Sequence, residues 1–556
     1  MGGTTGRFAI LEQFLADGVE YVFGNPGTVE QGFLDALSDY PRLHYILTLQ
    51  ETIAVMAADG YARAGRKPAV VQLHSGVGLG NGIGALYQAM RGHAPLVVIA
   101  GEAGVRYDAM DAQMAADLVG MAKPVTKWAG RVLHPDSLLR MLRRAIKIAA
   151  TPPMGPVFLA LPMDVLDAPC TEEVVPTVIP ETRVAPVPEL VARAASLLAG
   201  ARAPLIIVGD GVAQSGAVTE LTRVAELLGA QVWAADAGEV NISGVHPQYC
   251  GQLGHMFGEV SRAICSRADA VLICGTYVFP EVFPMLDSVF RPGAKVVHVD
   301  LNPYEIAKNF CVDLGLVSDP KATLAALAAT LNMLMTDEEK QAAKSRASAL
   351  AAAKEHKLAS ERNADAAMRN ALPMHAGSFM EELANQLPPA AVVFDEALTT
   401  SPELTRYLSV SEVGRYFLTR GGSLGVGFPG AIGVKLAHLD KTVIGFSGDG
   451  GAMYTIQALW TAAHYHIDAK FVVCNNRSYR LLKQNLQQYW NEREFTGRRY
   501  PASFDIRAPN IDFVAMAQGM GVPGARVETR DQIGPSIRRA LKHQGPFLID
   551  LILADP

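Results

Sequence analysis

The chain has 556 residues, of which 49% are hydrophobic and 19% charged, a net charge of −6 and a mean hydropathy of +0.16. That length is too great for one core and predicts about three domains. A mildly acidic balance without a basic block argues against nucleic acid or an anionic membrane as partner.

Helical spacing over residues 7–17 opens the chain, and Tyr21-Val22-Phe23 forms a short strand that ends in Gly24-Asn25-Pro26-Gly27-Thr28. A helix follows. Next come a strand over 44–49, a helix from 51 to 64, a strand over 69–73, a glycine-rich turn, a helix to Arg91 and a strand over 95–100. Such alternation predicts a mostly parallel sheet covered on both faces. Glu51 starts one of its helices, where a carboxylate suits the helix dipole. His74 ends a strand, a common place for a satisfied structural imidazole and equally for one that moves protons near neutral pH.

The last strand of this first domain falls within 152–165, and PCTEEVVPTVIPETRVAPVPE reads as an extended linker. Strands over 205–208, 231–234, 270–274 and 295–300 then predict a second, smaller doubly wound sheet. Its Gly209-Asp210-Gly211 turn is a weak sign of a nucleotide. Residues 337–371, rich in Ala, Lys and Glu, read as solvated helix leading into a third domain, whose first strand, over 392–394, runs into Asp395-Glu396-Ala397-Leu398-Thr399-Thr400. The domains are placed at 1–170, 188–335 and 372–556.

The most informative stretch is TVIGFSGDGGAMYTIQALWTAAHYHIDAKFVVCNNRSY, residues 442–479. An apolar strand over 442–446 meets Gly448-Asp449-Gly450, a helical segment follows, and a second strand over 471–474 closes on Asn475-Asn476. Parallel strands in such a unit put both polar ends at one carboxyl edge, where open α/β sheets bind ligands, so Asp449 and Asn476 should meet. A carboxylate, an amide oxygen and a backbone carbonyl suit magnesium held jointly with phosphates. The glycines let N–H groups approach a diphosphate at a helix start. For GDG alone, an ordinary turn with an Asp cap is the better reading.

Twenty-four residues separate Gly450 from Asn475, and with the Asn pair that follows, this unit resembles the thiamine-diphosphate signature. FGNPGTVE, LQETIAVMAADGYAR, LHSGVGLGNGIGAL and HAPLVVIAG resemble the pyrimidine-binding domain of the thiamine-diphosphate-dependent decarboxylases. With GPVFLALPMDV and GDGGAMYTIQALWTAAHY the likeness runs through nearly the whole chain, the benzoylformate decarboxylases matching best. The resemblance implies an α/β fold of three doubly wound, mostly parallel-sheet domains that holds thiamine diphosphate and Mg2+. It makes Glu51 the glutamate that hydrogen-bonds the cofactor's aminopyrimidine ring and favours the tautomer that activates the thiazolium carbon, the cofactor itself carrying the carbanion chemistry.

His74 matches the active-site histidine of those enzymes, while His93, also matched, is read as structural. Asn25, Pro26 and Gly27 fall beside the cofactor, and Thr28 stands where the pattern has serine, its hydroxyl either contacting a substrate carboxylate or bracing the turn. Around the diphosphate the resemblance gathers Leu398, Thr399, Gly422, Gly448, Gly450, Gly451 and Tyr479. Leu424 becomes the apolar wedge beneath a bent cofactor, bringing its reacting atoms together. Asp449, Asn476 and the main-chain carbonyl of Ser478 become the metal ligands. Three departures bear on the substrate pocket formed by Thr28, His74, Val282, Leu482 and Asn485. Val282 replaces a second histidine, leaving its proton transfer to His74, a water or His255 of a neighbouring loop. Arg477 replaces a glycine. Asn485 replaces a phenylalanine while Leu482 stays apolar, so a more polar pocket is expected.

The function expected is magnesium-dependent, non-oxidative decarboxylation of a 2-oxo acid to an aldehyde. Carboligation or lysis of a hydroxyketone-type bond, as in acetolactate synthases or 2-hydroxyacyl lyases, is the alternative, and an idle cofactor-binding protein the reading of another class. No flavin or ADP is expected in the central domain. Because the family seats its cofactor between two subunits, at least a homodimer is implied, and a homotetramer by analogy. Its small-molecule partner is a 2-oxo acid or aldehyde. The six scattered cysteines, with no CxxC pair, and the lack of a signal peptide or membrane span predict a cytoplasmic address.

Overall fold

Residues 4–235, 237–279, 281–408 and 410–555 are described by the structure, a computed structural model. The apolar runs become parallel strands buried on both faces, which is why the interior ones read as unbroken Val, Ile and Leu rather than as alternation. The first sheet comprises β1 (Tyr21–Gly24), β2 (His44–Leu47), β3 (Ala69–Leu73), β4 (Leu96–Glu102), β5 (Trp128–Arg131) and β6 (Val157–Pro162), in the order β2-β1-β3-β4-β6-β5. The second comprises β7 (Pro204–Val208), β8 (Gln231–Ala234), β9 (Tyr249–Gln252), β10 (Ala270–Cys274), β11 (Lys295–Asp300) and β12 (Leu314–Val317), ordered β12-β11-β10-β7-β8-β9. The third is built from β13 (Val392–Glu396), β14 (Tyr416–Leu418), β15 (Val443–Gly448), β16 (Ala469–Asn475), β17 (Gly524–Val527) and β18 (Phe547–Ile552), ordered β14-β13-β15-β16-β18-β17. All three are doubly wound.

Counted from their own first strands, the outer sheets share one order, so the chain builds the same plan twice. The middle sheet has the order of dinucleotide-binding folds. No helix or strand occupies the proline-rich stretch 171–187, and the alanine-rich segment is one 31-residue helix, Asp337–Ala367, started by a Thr336/Glu339 capping box. Among the described residues no helix is long and apolar enough to cross a membrane.

The outer domains share a core in which Phe23 and Tyr61 pack with Phe394 and Phe428. At its centre the helices Glu51–Gly65 and Gly427–Ala437 touch backbone to backbone: a Cβ on Gly60 would run into the Gly430 carbonyl, and one on Gly433 into that of Ala57. The docking sets opposite sheet edges against each other. At the carboxyl end of β2, Leu47 N donates to the Tyr465 hydroxyl at 2.9 Å and Thr461 Oγ1 to the Leu47 carbonyl at 3.1 Å, although Tyr465 leads into the amino end of β16. Conversely Arg63, near the far end of the Glu51 helix, donates to the carbonyl of Leu418 at the carboxyl end of β14, at 3.2 Å.

Candidate active site

The first candidate edge lies where β1 and β3 end side by side, a point at which the strand order reverses. The Glu51 carboxylate is 6% exposed; its Oε1 accepts from Asn25 Nδ2 at 3.4 Å and its Oε2 from Asn81 Nδ2 at 3.0 Å. His74 Nδ1 lies 3.0 Å from Glu30 Oε2, whose other oxygen accepts from Gly101 N at 2.9 Å. Burial pushes the Glu30 carboxyl above its ordinary value, with His74 and the Gly101 N–H pulling the other way. Gly27 lies against the His74 ring so closely that a Cβ would collide with it. Thr28, exposed, begins the turn Thr28–Glu30 that delivers Glu30. Asn25, Gly27, Glu51 and His74, which sequence reasoning names, lie together here with Glu30 and Asn81, which it does not name and which lie 44 and 30 residues from the side chains they bind.

The second edge belongs to the third sheet. β15 extends to Gly448, further than its apolar run, so Asp449 is the first residue of the helix Asp449–Ala452. Oδ1 of Asp449 accepts from Gly450 N at 2.7 Å and Oδ2 from Arg477 N, while Asn476 Oδ1 accepts from Ser478 N at 3.0 Å. The GDG and NN turns thus meet. Arg477 has a φ of 58°, left-handed backbone that favours glycine, and its N–H rather than its side chain serves the turn. Tyr479 packs over Gly450, where a Cβ would come within 2.5 Å of its ring.

Asp449 is 4% exposed, and among the described residues no Lys, Arg or His pairs with it. Burial pushes its carboxyl up to about 6. Nor, among the described residues, do three or more His, Cys, Asp and Glu gather in a way that could hold a metal ion by themselves. An uncompensated buried carboxylate beside amide and carbonyl oxygens fits a hard divalent cation completed by phosphate oxygens.

Glu396, which the sequence does not single out, ends β13 and is wholly buried. Its carboxylate accepts from Gly425 N, from Gly427 N at 2.7 Å and from Ser447 Oγ at 3.0 Å, and burial pushes it up to about 7. It holds the loop that carries Gly422 and Leu424 against the end of β15. Leu398, with a φ of 50°, and Thr399 turn the chain beside it. Leu482 and Asn485 sit one turn apart on the helix Arg480–Glu492.

Val282 is apart from all of these, 55% exposed on the central domain, where its N–H donates to the His255 carbonyl at 3.2 Å. His255 is therefore its direct neighbour. Within one chain no hydrogen bond or ion pair among the described residues joins Glu51 or His74 to Asp449, Asn476, Val282 or Asn485. In the central sheet, Asp210 is enclosed by the N–H groups of Gly238 and Glu239 and the Asn241 amide, and lies 3.5 Å from Arg420.

Fold and edges together define an α/β protein of three doubly wound sheets, the third of which holds at its carboxyl edge a buried carboxylate met only by backbone N–H groups among the described residues. Comparison with known proteins narrows this further. Residues 4–121, 191–327 and 399–551 match, in turn, the N-terminal TPP binding domain, the central domain and the C-terminal TPP binding domain of the thiamine pyrophosphate enzymes. The chain is 32% identical over 543 residues to the benzoylformate decarboxylase of Pseudomonas aeruginosa, covering 96% of each chain. It is 29% identical to a probable acetolactate synthase large subunit of Methanococcus aeolicus, covering 99% of this chain and 92% of the other. A solved thiamine diphosphate-dependent 4-hydroxybenzoylformate decarboxylase from Rhodococcus jostii RHA1 superposes with a TM-score of 0.85 at 26% identity, covering 99% of each chain. The benzoylformate decarboxylase of Polynucleobacter necessarius gives 0.84 at 26% identity over 99% of each. The chain belongs to the thiamine-diphosphate-dependent enzyme family.

Proposed function

We propose that the chain decarboxylates a 2-oxo acid, releasing carbon dioxide and an aldehyde, with thiamine diphosphate and Mg2+ bound. The observation that carries this reading is the Glu30–His74 pair beside Glu51. Loss of carbon dioxide from a 2-oxo carboxylate consumes one proton as the aldehyde forms, and a histidine held at Nδ1 by a carboxylate keeps Nε2 as the nitrogen that delivers it. When bound, the cofactor supplies the electron sink for the departing carboxylate.

This chain's residues would do the rest. Glu51 holds a proton at the cofactor's ring, and Asp449, Asn476 and the Ser478 carbonyl hold the metal. Leu398, Thr399 and the glycines at 448, 450 and 451 leave room for the diphosphate, with Gly422 and Leu424 beneath it. Thr28, Val282, Leu482 and Asn485 shape the substrate end. Opposed sheet edges support a site shared between copies: the docking at Leu47 and at Leu418 turns the Glu51 edge away from the Asp449 edge, so both serve one cofactor only across a homodimer. A pair of such dimers, by analogy, gives a tetramer. Free cysteines, most of them buried, suit a cytoplasmic address.

A second reading, carboligation, is favoured by the acetolactate synthases among the relatives. Incubation with cofactor, Mg2+ and a panel of 2-oxo acids, with and without an acceptor aldehyde, separates the two. Carbon dioxide with free aldehyde supports decarboxylation, hydroxyketone as the sole organic product supports ligation, and no turnover of any member overturns both.

A further inference from the structure

We propose that Asn81 is a positioning residue for Glu51, fixing which carboxylate oxygen faces the cofactor; the inference rests on the reading that Glu51 serves the cofactor ring. Two bonds tie Asn81 to consecutive residues of the Glu51 helix. Its Nδ2 donates to Glu51 Oε2 at 3.0 Å, and its main-chain carbonyl accepts from Thr52 Oγ1 at 2.7 Å. The helix Ser75–Arg91 is thereby pinned at one residue to the start of the other, through side chain and backbone together. Neither partner moves without disturbing the second bond.

The two oxygens of Glu51 are not equivalent. Oε2 is engaged at 3.0 Å, whereas Oε1 meets Asn25 Nδ2 only at 3.4 Å, near the outer limit of a hydrogen bond. Oε1 also faces Gly78, where a Cβ would come within 3.1 Å of that oxygen and 3.2 Å of the His74 Cβ. Asn81 thus takes Oε2 out of play and leaves Oε1 as the working atom, on the His74 side. The chemistry of the donor matters as much as its place. A lysine or arginine here would hold the carboxylate as firmly but would stabilise its charge strongly, making it a poor partner for a proton. A neutral amide orients without neutralising, and among the described residues no cation pairs with Glu51.

Asn81→Ala, Asn81→Asp and Asn81→Ser, made in the full-length chain, test this with Mg2+ present. The readouts are thiamine diphosphate affinity by calorimetry from pH 5.5 to 8.5, exchange of the cofactor's thiazolium proton, melting temperature, and assembly state by sedimentation. The expected result is a roughly tenfold slower exchange in Asn81→Ala and partial recovery in Asn81→Ser, whose hydroxyl restores a donor. Asn81→Asp, nearly isosteric and still offering its carbonyl to Thr52, should move the pH dependence of cofactor binding upward by about one unit, because two facing carboxylates share a proton. Wild-type affinity, exchange and pH profile in both Asn81→Ala and Asn81→Asp overturn the proposal. So does a loss of assembly that accounts for every change, since it would assign Asn81 to a contact between copies. Glu51→Gln is the control for the underlying reading: unaltered exchange there removes the role of Glu51 itself, whereas lost exchange there with unaltered Asn81 variants removes only the role of Asn81.

Discussion

Gly209-Asp210-Gly211 and Gly448-Asp449-Gly450 are the same three residues at the same kind of place, the carboxyl end of a buried strand opening a short helix, yet their carboxylates are shifted in opposite directions. Burial draws Asp210 upward, but Arg420 and Arg63, with the Gly238 N–H and the Asn241 amide, outweigh it and leave the carboxyl below its ordinary value. Burial pushes Asp449 up to about 6, and only backbone N–H groups oppose it. One turn has its counter-charge built into the chain; the other has none among the described residues. The tripeptide alone does not say which. The internal pair has its own use, since Arg420 also donates to the Arg91 carbonyl at 3.3 Å and stands four residues before Leu424. It anchors, between the first and central domains, the near end of the loop whose far end Glu396 holds.

The largest effect that bears on this contrast comes from Asp210→Asn. Taking one carboxylate out of a buried charge cluster costs up to about 3–5 kcal/mol, because Arg420 and Arg63 both lose the attraction of Asp210. Denaturant unfolding of the cofactor-free chain reads it, and a loss under about 1 kcal/mol would make the two turns energetically alike. Next comes Asp449→Asn, with the reverse signature: the metal-free chain should lose no stability, since a buried uncompensated charge is gone. If Asp449 is the metal ligand proposed, magnesium-dependent retention of thiamine diphosphate should weaken by more than about 100-fold, since outer partners of a ligand alone are worth about 10–100-fold. Calorimetry on wild type and variant checks both halves.

A pH series sharpens the same point. A carboxyl whose folded value is raised from 3.8 to about 6 binds its proton more tightly in the folded chain. Its contribution is therefore fully present below the unfolded value and is lost as pH rises through about 6. Between pH 5 and 7.5 the metal-free wild type should lose about 1.4 kcal/mol relative to Asp449→Asn. The gap should close when Mg2+ and the cofactor are added, and equal pH slopes in the two metal-free chains would refute the uncompensated charge.

Much of the fold is legible in the sequence, and what escapes has a pattern. β7 and β10 appear within a residue of their true bounds because buried parallel strands are unbroken apolar runs. β5, β9, β12, β14 and β17 escape, and all are edge strands of three or four residues, such as WAGR and YCGQ, too short for a period to stand out. β18 is the exception, an interior run, FLIDLI, interrupted by Asp550, which the fold buries against Asn475 and Arg526. The site divides in the same way. Asp449 and Asn476 are found because one strand–helix–strand unit brings them together, whereas Glu30, Asn81 and Glu396 act on partners supplied by other elements. Glu396 in particular binds glycine N–H groups 29 and 31 residues away, a relation no local spacing announces.

The smallest effect expected is that of a methyl at Gly450, and set beside the same change at Gly211 it tests whether the two turns are as different in packing as in charge. In Gly211→Ala the new Cβ would lie 2.7 Å from the Cα of Gly275, main chain directly after β10, so it can be relieved only by shifting backbone of the helix Asp210–Gln214 or of that turn; overpacking of that kind costs about 1–3 kcal/mol. In Gly450→Ala the obstacle is the ring of Tyr479, a side chain at the rim that swings aside, and the helical position itself gains up to about 1 kcal/mol from alanine. The net change at Gly450 should therefore stay within about 1 kcal/mol of zero, read as melting temperature of the cofactor-free chain. Equal losses at both positions would mean that the Asp449 turn is packed as rigidly as the Asp210 turn, leaving the missing counter-charge as the sole difference between them.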